Sequence, residues 1–404
     1  MEKQPKLWTR NFILVSISNF FVFLTFYYLL ILLPIYALDF LNISEAEVGL
    51  IVTVFLISAI VSRPFAGQWV SRYGIRKVFI ASAFIFAAGA ALYFLPQSIG
   101  SLLVLRFFHG IGFGMATTAT GTIVANVIPP LRRGEGMGYY VLFVNLAMVI
   151  GPFLGLTAIQ DWGAETTFSI SAIFGFLALL TGLMIKLPNE IPQGSTQIAE
   201  KIRFRIGDMF ERPAVKISVV GAFFAIAYSS ILAFVSVYAS QIGLAKVASY
   251  FFVVYAVVLL LSRPFTGKWF DQFGANVIIY PALIIFAIGV FVLSGAESAF
   301  IFLLAAALVG LGWGTVFPSL QTIAIQEASP GKSGLATATY LSIFDIGMGL
   351  GSFLVGIIGA EIGLNTLYFY SSIYILAGIG LYYLLHGKRK EASATRQVLS
   401  ENRQ

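Results

Sequence analysis

The chain has no cysteine and only two histidines in 404 residues. The first absence excludes a disulfide framework, thiolate metal sites and cysteine nucleophiles, and the second leaves little from which to build a metal cluster. Charge is scarce too, since Asp, Glu, Lys and Arg make up 11% of the residues, against roughly 25% in soluble domains. Apolar residues take their place. They reach 58% of the chain, above the ~45–50% of soluble folds, so the composition is that of a chain surrounded by lipid. A net charge of +7 would suggest nucleic acid or an anionic surface in a soluble protein; here its meaning depends on where the positive residues lie.

The stretch SRPFAGQWVSRYG, from Ser62 to Gly74, returns in altered form as SRPFTGKWFDQFG from Ser262 to Gly274. GIGFG at Gly110–Gly114 returns at the same offset of 200 residues as GLGWG at Gly310–Gly314, and Asn145 falls opposite Asp345. The chain is therefore a tandem duplication of two near-equal halves, each too long to be one unit of a solenoid. Apolar runs recur at about the 20 residues that a helix needs to cross a hydrocarbon core of roughly 30 Å. There are twelve, at about 11–38, 47–69, 78–96, 101–125, 137–158, 166–187, 214–240, 247–269, 277–294, 299–325, 334–360 and 366–386. The first follows Lys3, Lys6 and Arg10 as a signal peptide would, but it is too long and has no clear cleavage site, so it reads as a retained span.

With the N-terminus in the cytoplasm, Arg72, Arg76, Lys77, Arg132, Arg133, Lys201, Arg203, Arg205, Arg212 and Lys388–Lys390 all fall on that side. Lys246 alone lies in an outer loop, whereas Asp39, Glu45, Glu47, Asp161, Glu165, Glu297 and Glu361 are outside. This positive-inside distribution accounts for the net charge without nucleic acid and places both termini in the cytoplasm. The polar segment Pro188–Pro213 is the one long connection, so the expected organisation is a six-helix bundle at 1–187, a cytoplasmic linker at 188–213, a second bundle at 214–387 and a cytoplasmic tail at 388–404.

GQWVSRYGIRKV, from Gly67 to Val78, resembles the loop signature of the major facilitator superfamily between spans two and three. Gly67, Arg72, Gly74, Arg76 and Lys77 match, and Ser71 stands where that family usually has an acidic residue. The second copy keeps Gly267, Asp271 and Gly274 and has Gln272 for the arginine. Such a loop combines a tight turn with charges that grip a neighbouring helix end when the cytoplasmic side is closed; the plainer reading is a positive-inside anchor. LRFFHGIGFG in span four is similar to the family's arginine motif, with Arg106 and Gly110 in place and His109 where glutamine is common. GYYVLFVNLAMVIGPFLG in span five is similar to the motif of its antiporters, with Gly138, Gly151, Pro152 and Gly155 as hinge candidates and Ala147 and Leu156 in place of two glycines. Small residues four apart let helix backbones approach, and Gly347 and Gly351 repeat that signal in span eleven.

The resemblance implies an all-α integral membrane fold of twelve transmembrane helices in two six-helix, pseudo-symmetric bundles. It implies a central cavity whose midplane site faces each side alternately as the bundles rock. Within the spans the ionisable groups that matter are Arg63, Arg106, His109, Arg263, Lys268 and Asp345. Asp345 lies roughly 17 Å into span eleven at about 1.5 Å per residue. A charge at that depth costs about 2.5–3.5 kcal/mol on insertion scales and needs a partner, water or a proton. Asp345 is thus either a proton-coupling site or a neutral carboxyl bonded to a neighbouring helix. Arg106 cannot shed its charge and so must face an acid, water or substrate; His109 shares its helix face, as a coupling candidate or a hydrogen-bonded helix contact. Arg63 and Arg263 are expected to snorkel to the cytoplasmic interface.

By resemblance, spans one, four, seven and ten line the cavity. Asn19, Phe23 and Tyr27 share one face of span one, and Asn145, Tyr228, Ser229, Trp313 and Gln321 complete the candidates. Aromatics with few polar anchors suit amphipathic organic compounds. The expectation is a monomeric, proton-coupled exporter of such compounds in the cell membrane, multi-pass and not an enzyme. The alternative is a carrier of a specific sugar or organic anion in the same fold. Its partners would be the small organic substrate, protons and membrane lipid, with no nucleic acid, metal or cofactor beyond the proton gradient that drives it. The GKS at Gly331–Ser333 lacks the earlier glycine of a phosphate-binding loop. Because the chain is free of cysteine, Lys246→Cys should react with a membrane-impermeant thiol reagent in intact cells and Lys388→Cys only after permeabilisation; the opposite pattern overturns the orientation.

Overall fold

The computed structural model describes residues 5–41, 45–186 and 210–387. The linker residues 188–209 and the tail after Gly387 lie outside them, as do the side chains of Asp39, Glu45, Glu47 and Asp161. The described residues contain no strand. Hydrocarbon offers no hydrogen-bond partner to a backbone, so a spanning segment must satisfy its N–H and C=O groups within itself, and only a helix does so alone. The first half of the chain forms α1 (Arg10–Leu41), α2 (Glu45–Tyr73), α3 (Ile75–Ala91), α4 (Ile99–Val127) and α5 (Arg133–Leu183). The second forms α6 (Arg212–Gln241), α7 (Ala248–Phe273), α8 (Ala275–Ser294), α9 (Ala299–Gln326), α10 (Ser333–Ile362) and α11 (Leu364–Tyr382).

Twelve candidate spans lie among the described residues; α5 is two helices meeting at a kink, which belong to the spans Pro130–Gly155 and Trp162–Leu183. The break between them is Gly163, at φ 74° and ψ 173°, a conformation that a side chain would disfavour. Gly74 and Gly274, at φ 87° and 86°, likewise separate α2 from α3 and α7 from α8. Nothing lies within 4 Å of the place a Cβ would take at either position, so backbone conformation alone calls for glycine in both copies of the repeated loop. Ser98 caps α4 and Ser298 caps α9, again 200 residues apart.

The chain divides into two compact units, Met1–Glu211 with Ala328–Ser342, and Arg212–Glu327 with Ile343–Gln404. In the first unit α1 packs on α5 and α4, while α2 and α3 both pack on α4; in the second, α6, α7 and α8 all pack on α9, and α11 joins α6 and α8. Each unit is therefore built around its glycine-rich helix. A Cβ at Gly112 would stand 2.7 Å from the Phe86 backbone nitrogen, and one at Gly312 2.5 Å from that of Phe286. Gly110 meets the Phe55 carbonyl of α2 as Gly310 meets the Tyr255 carbonyl of α7, so the offset of the repeat persists in the packing.

The stretch Ala328–Ser342 joins the first unit through close approaches of the same kind. A Cβ at Gly67 would stand 2.9 Å from the Ala338 Cβ, and one at Gly334 3.0 Å from Val70. The buried carboxylate of Glu211 accepts from the Ser329 hydroxyl at 2.6 Å and its backbone N–H at 3.2 Å, and the Glu211 N–H donates to Thr339 Oγ1 at 2.9 Å. Lys332 approaches the same carboxylate at 3.6 Å.

The lipid-facing surface keeps large apolar side chains, among them Phe153, Leu261 and Phe353. Helix association in lipid has no hydrophobic drive and rests on close packing, so the smallest added atom on the glycine stripe is felt. Gly112→Ala is expected to destabilise the purified protein by about 1–3 kcal/mol, whereas Gly100→Ala, on the same helix with nothing within 4 Å, should stay within about 0.5 kcal/mol. Thermal unfolding of the two variants side by side checks this.

Candidate functional site

The candidate residues of the first unit fall into two buried polar clusters, both hung on α4. In the first, the Arg106 guanidinium is fully buried. Its Nε donates to the Ile51 carbonyl at 3.1 Å, its Nη1 donates to the Tyr93 hydroxyl at 3.3 Å, and its Cζ sits 4.1 Å above the Phe55 ring. Tyr93 OH and His109 Nδ1 are 2.9 Å apart. A phenol oxygen that accepts from Arg106 keeps both its own proton and a second lone pair, so this contact suits either tautomer of a neutral His109. Arg106 Nη2 and His109 Nε2 are buried without a hydrogen-bond partner. Arg106 and His109 are thus brought together, but through Tyr93, whose role nothing in the sequence pattern announced. The Phe86 ring, 4.4 Å from that of His109, completes the packing.

The second cluster joins α1, α2, α4 and α5. Asn19 is fully buried, and Thr120 donates to its Oδ1 at 2.9 Å. The Tyr140 hydroxyl donates to Thr120 Oγ1 at 3.0 Å, and one turn away Arg63 Nη1 donates to Thr117 Oγ1 at 2.7 Å. Asn19 Nδ2 has no partner. Arg63 does not snorkel: it is 3% exposed, and so is its counterpart Arg263, whose Nη2 donates to the Gly314 carbonyl. The depth of each arginine in its span allowed a stem to reach the interface, but rotation of α2 and α7 turns both guanidinium groups inward onto α4 and α9, where uncovered polar atoms receive them.

Further along α1, Phe23 stacks on Tyr27 with centroids 6.2 Å apart and meets Phe113 of α4 at 5.2 Å. A Cβ at Gly151 would stand 2.7 Å from Tyr27 Cβ, and one at Gly155 2.8 Å from the Tyr28 carbonyl. Gly151 and Gly155 therefore let α5 lie against α1, flanking Pro152 within the helix, while Gly138 is buried one span-half earlier. Asn145 turns back onto its own helix, donating from Nδ2 to the Val141 carbonyl at 3.1 Å.

In the second unit Tyr228 and Trp313 stack with centroids 4.6 Å apart and planes 20° apart, and Phe344 lies parallel to Trp313 at 6.1 Å. Asp345 follows Phe344 in the middle of α10 and is partly exposed. Ser229 donates to the Ile226 carbonyl at 2.8 Å, where Gly351 of α10 approaches, and Gln321 is buried on α9. Phe344 was not among the residues expected at the site; it is one apolar aromatic among many, and only the helix register puts it against Trp313. In the loops, Arg72, Arg76 and Lys77 are exposed, with Arg72 over the Tyr73 ring at 5.3 Å, and Gly267 is buried ahead of the partly exposed Asp271.

The arrangement is two buried cationic clusters in one unit, and in the other a carboxyl one residue after a stacked aromatic. Comparison with known proteins gives the family. The profile of the Major Facilitator Superfamily matches residues 15–352. Multidrug resistance protein 2 of Bacillus subtilis is 23% identical over 95% of this chain and 98% of its own, and the staphylopine export protein of Staphylococcus aureus is 24% identical over 81% and 84%. Among solved structures, the human organic anion transporter TETRAN superposes with a TM-score of 0.75 at 18% identity, covering 94% of this chain and all of its own. The Escherichia coli fucose:proton symporter FucP gives 0.73 at 16% identity over 92% and 98%. The matched profile runs from α1 into the glycine-rich part of α10, and the chain belongs to the Major Facilitator Superfamily, as a multi-pass membrane transporter and not an enzyme.

Proposed function

We propose that this chain is a proton-coupled exporter that carries small amphipathic organic compounds across the cell membrane by alternating access. The observation that carries the reading is Asp345, a carboxyl in the middle of a membrane-spanning helix, partly exposed, next in sequence to an aromatic ring that stacks on Trp313. A charge at that depth is expensive unless it is partnered, hydrated or neutralised by a proton, so gain and loss of one proton is an inexpensive way for the group to respond to exposure on either side. Stacked Tyr228, Trp313 and Phe344 provide a flat apolar surface of the kind that organic ring systems occupy. Full-length relatives named as a multidrug resistance protein and as an export protein support the direction of transport.

A second reading, a carrier of an organic anion or sugar, is favoured by one observation. Arg106 is a permanent cation, fully buried, whose Nη2 lacks an acceptor, as does the amide nitrogen of Asn19. Either donor would receive a carboxylate or hydroxyl oxygen of a polar substrate.

The two readings separate in everted membrane vesicles energised by a pH gradient, loaded in turn with a lipophilic amine, an organic acid and a hexose. Uncoupler-sensitive uptake of the amine is expected, with Asp345→Asn lowering it by at least about tenfold, a barrier change of ~1.4 kcal/mol or more, and Asp345→Glu retaining it in part. Unchanged uptake by Asp345→Asn removes the coupling assignment. Uptake of the acid or hexose alone, abolished by Arg106→Gln, establishes the second reading instead.

A further inference from the structure

α3 and α4 enclose a groove of about 430 Å³ on the outer face of the first unit. Phe84, Leu95, Val104 and Phe108 form its exposed apolar rim, and Ser101 is the one polar side chain in its lining. Both helices are spans, so the groove opens into hydrocarbon. The duplication supplies a comparison within the same chain. Ser98 and Ser298 start α4 and α9 and Gly89 answers Gly289, so the offset of 200 holds without a gap through this hairpin. At the lining positions the small Ala88 and Ser101 of the first half stand where the second half has Ile288 and Ile301. At these two positions the second half carries bulk that the first leaves out, while at Phe84, Leu95 and Phe108 the first half has the larger residue, against Ile284, Gly295 and Leu308, so its groove is open at the floor and high at the rim.

A second difference coincides with it. The cluster of Tyr93, Arg106 and His109 is replaced in the second half by Leu293, Ala306 and Val309. Groove and cluster lie on opposite sides of one residue: Gly89 lines the groove, and a Cβ there would stand 2.9 Å from both Cβ and Cδ2 of His109.

We propose that the groove is a seat for one acyl chain of a membrane phospholipid. From Phe84 to Leu95 it runs about 17 Å at about 1.5 Å per residue, close to the ~15 Å of one leaflet, half of a ~30 Å hydrocarbon core. Its polar end is the turn where the chain leaves the membrane, at Gln97, Ser98 and Ser101, which is where a headgroup would lie; the rest of the lining is apolar. Between lipid and protein there is no hydrophobic gain, so retention comes from contact on several sides at once, which a groove offers and a flat helix face does not. The lining carries no charge to orient a polar substrate, which separates this seat from the sites discussed above. A seated chain covers Gly89 and so closes the His109 side of the buried cation cluster against the bilayer.

The test uses the full chain reconstituted with a phospholipid bearing a photoreactive diazirine on its acyl chain, followed by mapping of labelled peptides. The wild type is expected to label on the α3–α4 hairpin well above its other lipid-facing helices, and Ala88→Ile/Ser101→Ile, which installs the second half's own residues, should lower that labelling about tenfold, one order of magnitude in affinity. Ile at 101 keeps the bond from its backbone N–H to Ser98 Oγ, as Ile301 does with Ser298, and gives up only the return bond from Ser98 N–H to the Ser101 hydroxyl. Even labelling of all lipid-facing helices in the wild type overturns the proposal without recourse to a variant. So does labelling that persists in a well-folded double variant, displacement of the label by a transported compound, or protection of the groove in a dimer that the double variant dissolves.

Discussion

Everything in this structure depends on how closely two helices, α4 and α9, approach their neighbours. In lipid, apolar side chains gain nothing by leaving solvent for one another, so bundles hold by contact between atoms and by the few polar groups that find partners. Glycine at 110, 112 and 114, and again at 310, 312 and 314, brings the backbones of α2 and α3, and of α7 and α8, to the distance at which a single added carbon has no room. A unit whose central helix is in backbone contact with its neighbours resists internal deformation.

Free backbone acceptors settle the buried arginines. Pro318 has no N–H to donate to the Gly314 carbonyl four residues before it, and the Arg263 guanidinium takes that acceptor. In the first unit Arg63 reaches Thr117, three residues beyond Gly114, and Thr117 passes the hydrogen bond on to the Phe113 carbonyl at 2.8 Å. A permanent cation can sit in the interior because the helix that makes room for its neighbours also exposes the acceptors that a guanidinium needs.

Hydropathy and repetition are properties of the chain in one dimension, and what they encode was legible: twelve spans and the turns at Gly74 and Gly274; the loop and span motifs carried the resemblance to the superfamily. The rotation of each helix about its axis was not. A helix that is apolar on every side carries no stripe to say which face turns inward, so Arg63 and Arg263 could be placed in depth but not in direction. For the same reason Tyr93, Thr117, Thr120 and Tyr140 escaped notice. Each is a hydroxyl on an apolar helix, and they become partners of Arg106, Arg63 and Asn19 only when the packing around α4 brings several helices into register. Hydropathy also separated the two spans that meet at the Gly163 kink.

Duplication turns the chain into its own control, and it sorts the polar residues into two kinds. Where both copies keep a residue and its environment, as with Arg63 and Arg263 facing the glycine-rich helix, the common explanation is construction of a six-helix unit. Where the copies part, construction cannot be the reason, because the other half is built without the residue. Tyr93, Arg106 and His109 have only apolar counterparts, and Asp345 answers to Asn145. Asn145 spends its amide on its own helix, at the Val141 carbonyl, and can exchange no proton. The isosteric carboxyl at 345 adds only charge and a titratable proton to that position. The scaffold tolerates the amide at one copy and carries the acid at the other, so building the helix does not by itself call for the carboxyl on α10.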